Sequence, residues 1–288
     1  MKKMITPDSF EGFNVVCDIL GIEEDFAAPH SHSGTCEIIL SKTEGGHVII
    51  KNKLYPLVKN GLYFINGLDV HHPSPTDAEK YFRNRIILSI KFLNKLTDFF
   101  RLEDVIQKIF YDEGGKFCRL SAAKAEKADE YFKKIYELCQ SGKEFEMADS
   151  VSAMTEILKI GYFYNAGEET IVNKAIDSAL EYIDSNIQNN ITVDSISDFC
   201  GLNKYYMCHL FKLVVGMTIS KYIKIARVAI AKKKLVYTNL SISEISKSTG
   251  FNSVSYFGRV FYEEEHVTPS EYRKIMKSGS KAIKQIYK

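Results

Sequence analysis

Four side chains in the N-terminal half combine ligand-binding groups with a suggestive order: His30-x-His32-x4-Glu37, followed by His71 within the pair His71-His72. Alternate residues of a strand face one side, so His30 and His32 can point together into the interior of a sheet domain. Two imidazoles, a carboxylate and a third imidazole are a feasible ligand set for iron, manganese or zinc. The same groups can instead hydrogen-bond a small effector without a metal, or be polar interior residues with no ligand. The residue types leave these three readings open. No nucleophile elbow, P-loop or dinucleotide fingerprint occurs, and Gly45-Gly46 alone cannot make a phosphate site. No catalytic residue is therefore assigned.

Short strands must carry this group. Residues 36–40, 47–50, 61–65 and 86–90 are rich in β-branched or aromatic side chains, and Glu44-Gly-Gly46, Lys51-Asn-Lys53 and Asn66-Gly67 separate them. Such spacing predicts an antiparallel barrel or jelly roll. From Leu93 the period changes. Ala125, Ala128, Phe132, Ile135 and Cys139 form one helical stripe; Met147, Val151, Met154, Leu158 and Gly161 form another. Residues 140–143 fold the two back as a hairpin. A stripe left open to water is a liability, so the hairpin is expected to dimerise through Met147, Val151, Met154, Leu158 and Tyr162, unless it packs on its own barrel. The polar stretch 165–170 marks a domain boundary.

The C-terminal part contains an internal repeat. Ile196…Gly201-Leu202-Asn203 recurs 49 residues later as Ile245…Gly250-Phe251-Asn252, and Phe211…Thr218-x-Ser220-x-Tyr222 recurs 50 residues later as Phe261…Thr268-x-Ser270-x-Tyr272. Each copy reads as a short helix, a glycine turn and a second helix, with Thr192, Asn203, Ser241 and Asn252 as expected N-caps. That is a helix-turn-helix, whose second helix enters a major groove. Met207, Leu210 and Phe211, then Phe257, Val260 and Phe261, face inward. Lys204, Tyr205, Cys208, His209 and Lys212, then Ser253, Val254, Ser255, Gly258 and Arg259, remain for the groove. Arg259 offers a fork matching guanine, Ser255 a base-edge or phosphate bond, and Lys212 a phosphate contact. Between the copies, residues 221–237 predict a stiff helix, with Lys232-Lys-Lys234 read as solvated charge that adds attraction without sequence information.

Charge divides along the same line. Residues 171–288 carry 17 basic and 10 acidic side chains, a net charge of +7, whereas residues 1–170 carry −5. This asymmetry fits a basic module for a polyanion joined to a module of another kind. An apolar fraction of 45% and a charged fraction of 26% describe a globular chain. No run approaches the ~20 apolar residues of a membrane span, and residues 1–7 lack the apolar core of a secretory signal. Six cysteines without a C-x-x-C pair read as small buried hydrophobes in a reducing, cytoplasmic setting.

With these residues in place, the stretch 171–275 resembles the AraC/XylS family of transcription regulators. The likeness is carried by Ile196…Gly201…Phe211…Gly216…Tyr222-Ile223…Arg227…Ala231…Leu235, then Ile242-x-x-Ile245…Gly250-Phe251-x-Ser253…Tyr256-Phe257-x-Arg259-x-Phe261…Thr268-Pro269-Ser270-x-Tyr272-Arg273. His266 stands where the family usually has glycine, and Lys234 where leucine is common. The resemblance implies that helices at about 204–212 and 253–262 read DNA. Around residues 25–75, Lys59-x-Gly61-x-Tyr63-x-Ile65 leading to His71 is similar to the sensory cupin domains of such regulators, with Asn66-Gly67-Leu68-Asp69 replacing the usual proline-glycine turn. That likeness implies an effector site, often for a sugar, at His30, His32, Glu37, Tyr63 and His71, with no metal or other cofactor assigned.

The expected architecture has two domains: an all-β cupin-like barrel (1–94) followed by a helical dimerisation hairpin (95–166), then an all-α twin helix-turn-helix domain (167–288). The expected partners are double-stranded DNA, a small-molecule effector, a second copy of the chain and RNA polymerase, with no membrane. The competing expectation is a metal-dependent cupin enzyme, of isomerase or dioxygenase type, with an appended helical domain.

Overall fold

The alternating strand pattern folds as two facing sheets. The computed structural model describes residues 15–21, 29–32, 34–112, 116–141, 144–164 and 173–278, without the side chains of 15–21, 140, 141, 144–147 and 278. β1 (Val15–Gly21), β2 (Thr35–Ser41), β5 (Gly61–Asn66), β7 (Arg83–Ser89) and β8 (Lys116–Arg119) make a five-stranded antiparallel sheet in the order β1-β7-β2-β5-β8. β3 (Gly46–Ile50), β4 (Lys53–Pro56) and β6 (His71–Pro75) make a three-stranded sheet in the order β4-β3-β6. Among the described residues the barrel is therefore not closed. The inner faces pack as a sandwich instead, with Ile39, Tyr63 and Ile65 against Val48, Ile50 and Tyr55, so the same alternating residues are buried without closure.

The outer face of the larger sheet, with Ile38, Leu40, Leu62, Phe64, Ile86 and Leu88, is covered by α1 (Ile90–Phe100), α3 (Ala122–Ser141) and α4 (Glu144–Phe163). A four-residue helix, α2 (Glu103–Ile106), and a π-helical turn at Gln107–Tyr111 lead to β8. Gly161 lets α4 approach closely: a Cβ there would lie 2.6 Å from the Phe64 ring. The expected dimer stripe is corrected by this packing. Met154 and Leu158 are each only 1% exposed, in one core with Phe132 and Ile135, while Val151 and Tyr162 pack at its edge. The chain's own sheet supplies the apolar partner. The Met147 side chain and the boundary at 165–170 lie outside the described residues.

The outer face of the smaller sheet meets the helical half. Ile49, Leu54 and Val70 pack with Ile176, Leu180 and Ile183 of α5 (Lys174–Asn186) and with Tyr222 of α8 (Ile219–Tyr237). Directional bonds add to this: the Tyr222 hydroxyl donates to Lys51 O at 2.8 Å, Leu54 N–H to Asp177 Oδ1 at 3.0 Å, and Asn52 to Asp184 at 3.1 Å. The remaining helices are α6 (Val193–Cys200), α7 (Lys204–Val215), α9 (Ile242–Ser248), α10 (Val254–Glu265) and α11 (Pro269–Ser278).

Candidate functional site

Each pair α6–α7 and α9–α10 begins with a capping box, at Thr192/Ser195 and at Ser241/Glu244, which satisfies orphan N–H groups reciprocally. Gly201 closes α6 in the left-handed region, and Asn203 caps α7 by accepting from Tyr205 N–H. In the second copy Ser253, not Asn252, caps α10 by accepting from Tyr256 N–H at 3.2 Å. Asn252 is one residue too early for its side chain to reach the first turn. Met207, Phe211, Phe257, Val260 and Phe261 are buried as expected.

The outward faces carry the expected groove residues. Lys204, Tyr205, Cys208, His209 and Lys212 are exposed on α7; Ser253, Val254, Ser255 and Arg259 are exposed at α10, with Gly258 half-buried. Exposed Cys208 departs from the reading of all cysteines as buried; Cys36 and Cys118 follow it. Tyr206, 55% exposed beside Tyr205, was not singled out by pattern, because an aromatic at that position reads equally well as core. Lys204 is bound to Asp194 at 2.9 Å across the turn, which ties the start of α7 to α6. Arg259 lies 5.3 Å from the Tyr256 ring centroid and 3.9 Å from Glu263, with its side chain 69% exposed. His209 and Arg259 occupy equivalent positions, each two residues before the buried phenylalanine of its helix.

The histidine group assembles in the sheet domain. The ligand nitrogens of His30, His32 and His71 lie within 4.8 Å of one another. The segment 30–32 is stitched in place by His30 N–H to His71 O, His71 N–H to His30 O and His32 N–H to Gly67 O. His32 Nε2–H donates to Glu37 Oε1 at 2.7 Å, and its Nδ1 is paired with the Thr35 hydroxyl at 2.7 Å. Burial alone would raise the Glu37 carboxyl; the His32 bond, with smaller contributions from the neighbouring His71, His32 and Arg85, overcomes it and holds the group well below the usual range. His71 donates from Nδ1 to Asp69 O at 2.8 Å, which leaves a buried Nε2 lone pair with no hydrogen-bond partner. Burial pushes its pKa down to about 3. A fixed neutral imidazole with a free Nε2 beside two others is chemically suited to a transition-metal ion or to a hydrogen-bond donor on a ligand.

One expected member, Tyr63, does not join, and His72, the neighbour of His71, turns away from the group. Tyr63 donates its hydroxyl to Pro56 O, accepts from Val58 N–H and stacks on Phe117, so its polar atom is committed to the inter-sheet core. His72 points to the opposite face of β6 from His71, against the helical half, where burial lowers its pKa to about 4. On the same face His47 Nε2–H donates to Val214 O at 2.6 Å, at the end of α7.

The lysine run is the largest departure from expectation. Lys232 has no exposed surface and lies between the two halves, bonded to Ser31 and Glu265. Lys233 is paired with the buried Asp69. These cations face the sheet domain, so Lys232 is not a phosphate contact. A cavity of about 50 Å³, room for a few waters, lies beside them between Lys51, Asp69, Asp184, Tyr222 and Lys233.

A family model described as a helix-turn-helix domain matches residues 196–275. The chain is 35% identical over 102 residues to the bifunctional transcriptional activator/DNA repair enzyme AdaA of Bacillus subtilis, a stretch covering 35% of this chain and 48% of AdaA. It is 31% identical over 113 residues to an uncharacterised HTH-type transcriptional regulator from the cgkA 5′ region of Pseudoalteromonas carrageenovora, covering 39% and 67% of the two chains. It is 23% identical over 254 residues to the HTH-type transcriptional activator RhaR of Escherichia coli, covering 87% and 88%. The chain thus spans about half the length of AdaA. Among the described residues no helix is long and apolar enough to cross a membrane.

Proposed function

The chain belongs to the AraC/XylS family of transcription regulators, and from that premise we propose that it reads double-stranded DNA through α7 and α10 under the control of a small effector held in the N-terminal sheet domain. The observation that carries this reading is the matched pair of outward faces, with His209 and Arg259 at equivalent positions in a half of net charge +7. α8, of 19 residues, is about 28 Å long. That length suits two units addressing successive major-groove turns about 34 Å apart.

In this reading residues 1–94 form a cupin-like sensor, 95–166 a dimerisation region and 167–288 a twin helix-turn-helix domain. The effector, a sugar being the favoured class, meets His30, His32, Glu37 and His71, whose imidazoles and carboxylate suit hydroxyl groups. The chain acts in the cytoplasm as a homodimer and engages RNA polymerase as an activator, the role printed in the names of RhaR and AdaA. Phe163, 74% exposed at the end of α4, is an apolar side chain open to a second copy.

The test is selection of bound duplexes from a random library by the full chain. Enrichment of a two-part motif with parts about one helical turn apart supports the reading; recovery of unenriched DNA overturns it. A second reading, a metal-dependent enzyme of isomerase or dioxygenase type, draws on the orphaned His71 Nε2 facing two further imidazoles. Stoichiometric iron or manganese in the purified chain, together with turnover, would favour it.

A further inference from the structure

The ammonium group of Lys232 has three N–H donors and meets three acceptors: Ser31 O at 2.9 Å, Ser31 Oγ at 3.0 Å and Glu265 Oε1 at 2.7 Å. Ser31 is the residue between His30 and His32. Glu265 is the last residue of α10. A single buried cation on α8 therefore bonds both the segment that carries two of the clustered histidines and the end of the second outward-facing helix. The next residue repeats the arrangement: Lys233 pairs with Asp69, whose carbonyl receives the His71 Nδ1–H. Adjacent lysines on one helix thus hold both segments from which the three imidazoles come.

We propose that Lys232 is a positioning residue that transmits the state of the histidine cluster to α10. This rests on the reading of the cluster as the effector site and of α10 as a DNA-reading helix. The physical reason is the cost of stripping acceptors from a buried charge. Any rearrangement that draws Ser31 away removes two of the three acceptors of Lys232. The ammonium must then follow Ser31 or swing toward Glu265. Either movement changes the bond that anchors the C-terminal turn of α10, next to the left-handed residue His266 that ends the helix. The recognition face itself is untouched, so the device alters how α10 is held rather than which bases it meets.

The experiment is amide hydrogen exchange on the full chain without DNA or effector. Peptides covering 254–265 are the readout and peptides covering 204–215 the internal reference. His32→Ala releases the segment from Glu37 and Thr35 and so perturbs the cluster directly. With Lys232 present, it is expected to speed exchange at 254–265 about tenfold while leaving 204–215 unchanged. In the Lys232→Met background the same substitution is expected to add nothing at 254–265. Glu265→Ala, which removes the acceptor at a position near the surface, is expected to uncouple the two sites likewise, and it carries the test if Lys232→Met fails to fold. An equal response to His32→Ala in all backgrounds, no response with Lys232 present, or an equal rise at 204–215 overturns the proposal. Because neither DNA nor effector enters the measurement, failure of the regulatory reading shows in the duplex selection and not here.

Discussion

Arg227 and Gly250 interlock between the two helix pairs: a Cβ on Gly250 would lie 2.9 Å from Arg227 Cζ and Nε, and closer still to the backbone carbonyl of Ile187 that Arg227 holds. The guanidinium is not free to retreat. Its Nε–H donates to Ile187 O at 3.1 Å and its Nη2–H to Asn189 O at 2.7 Å, closing the C-terminal end of α5. Gly250 also sits at φ +81°, where an L side chain is strained.

Gly250→Ala is therefore expected to cost about 2–4 kcal/mol, from strain plus a displaced buried contact. Gly201→Ala, at the same point of the first unit with nothing within 4 Å of the added Cβ, is expected to cost only about 1 kcal/mol, from the left-handed backbone alone. Urea unfolding of both variants checks the difference; equal losses would mean that both the Ile187 backbone carbonyl and Arg227 yield.

His266 holds the left-handed position that ends α10 at φ +57°, where Gly216 ends α7 at φ +81°. His266→Gly removes the Cβ penalty and is expected to stabilise the fold by about 0.5–1 kcal/mol. A rise in Tm checks this; a fall would show that the exposed imidazole has a role of its own.

His71 and His72 are kept neutral by burial, with pKa values lowered to about 3 and about 4. In the unfolded chain each titrates near 6.5, so the unfolded state binds more protons as the pH falls below that value. Their contribution is constant above about pH 6.5, and stability is lost as the pH falls through the window from there to about 4 and then 3. The slope is about 1.4 kcal/mol per pH unit for each histidine within its window. Urea midpoints at pH 7.5, 6 and 5 should fall in that order, and His72→Gln should make the fall shallower; a midpoint that rises toward pH 5 contradicts this.

Leu158 is 1% exposed and belongs to the core shared with the larger sheet, whereas Phe163 on the same helix is 74% exposed. Leu158→Asp places an unpaired carboxylate in that core and is expected to cost more than about 3 kcal/mol. Phe163→Ser should change stability by no more than about 0.5 kcal/mol. Thermal unfolding distinguishes them; a folded Leu158→Asp chain with a smaller mass in solution would restore that stripe as a dimer contact.

Legibility followed the range of the cause. The helix-turn-helix units could be read from sequence because glycines, caps and apolar spacing act within a few residues; Thr192, Asn203 and Ser241 cap as the pattern implies. The gathering of His30, His32 and His71 was legible as residue types only: residues 30–32 form no strand but an isolated bridge from His30 to His71, so strand alternation applies to β6 alone. The same alternation sends His72 the other way, which a two-residue pair conceals until β6 has a register. Whether Lys232 is solvated or buried depends on Ser31, 201 positions earlier in the chain. Nothing local to Lys232-Lys-Lys234 reports that partner. The α4 stripe was recognised as apolar, but apolarity alone does not say whether a second copy or the chain's own sheet covers it.

The most direct test of sequence-specific reading by α10 is competition binding of the full chain and of Arg259→Ala to the selected duplex and to a scrambled one. Arg259 is exposed on the outer face of α10, with only the loose contact to Glu263 and the Tyr256 ring to hold it. Its substitution is expected to cost about 1–3 kcal/mol on the selected duplex and to relax preference at one base pair, with little change on the scrambled one. Equal losses on both duplexes would show that Arg259 contacts only phosphate, and would contradict sequence reading at this position.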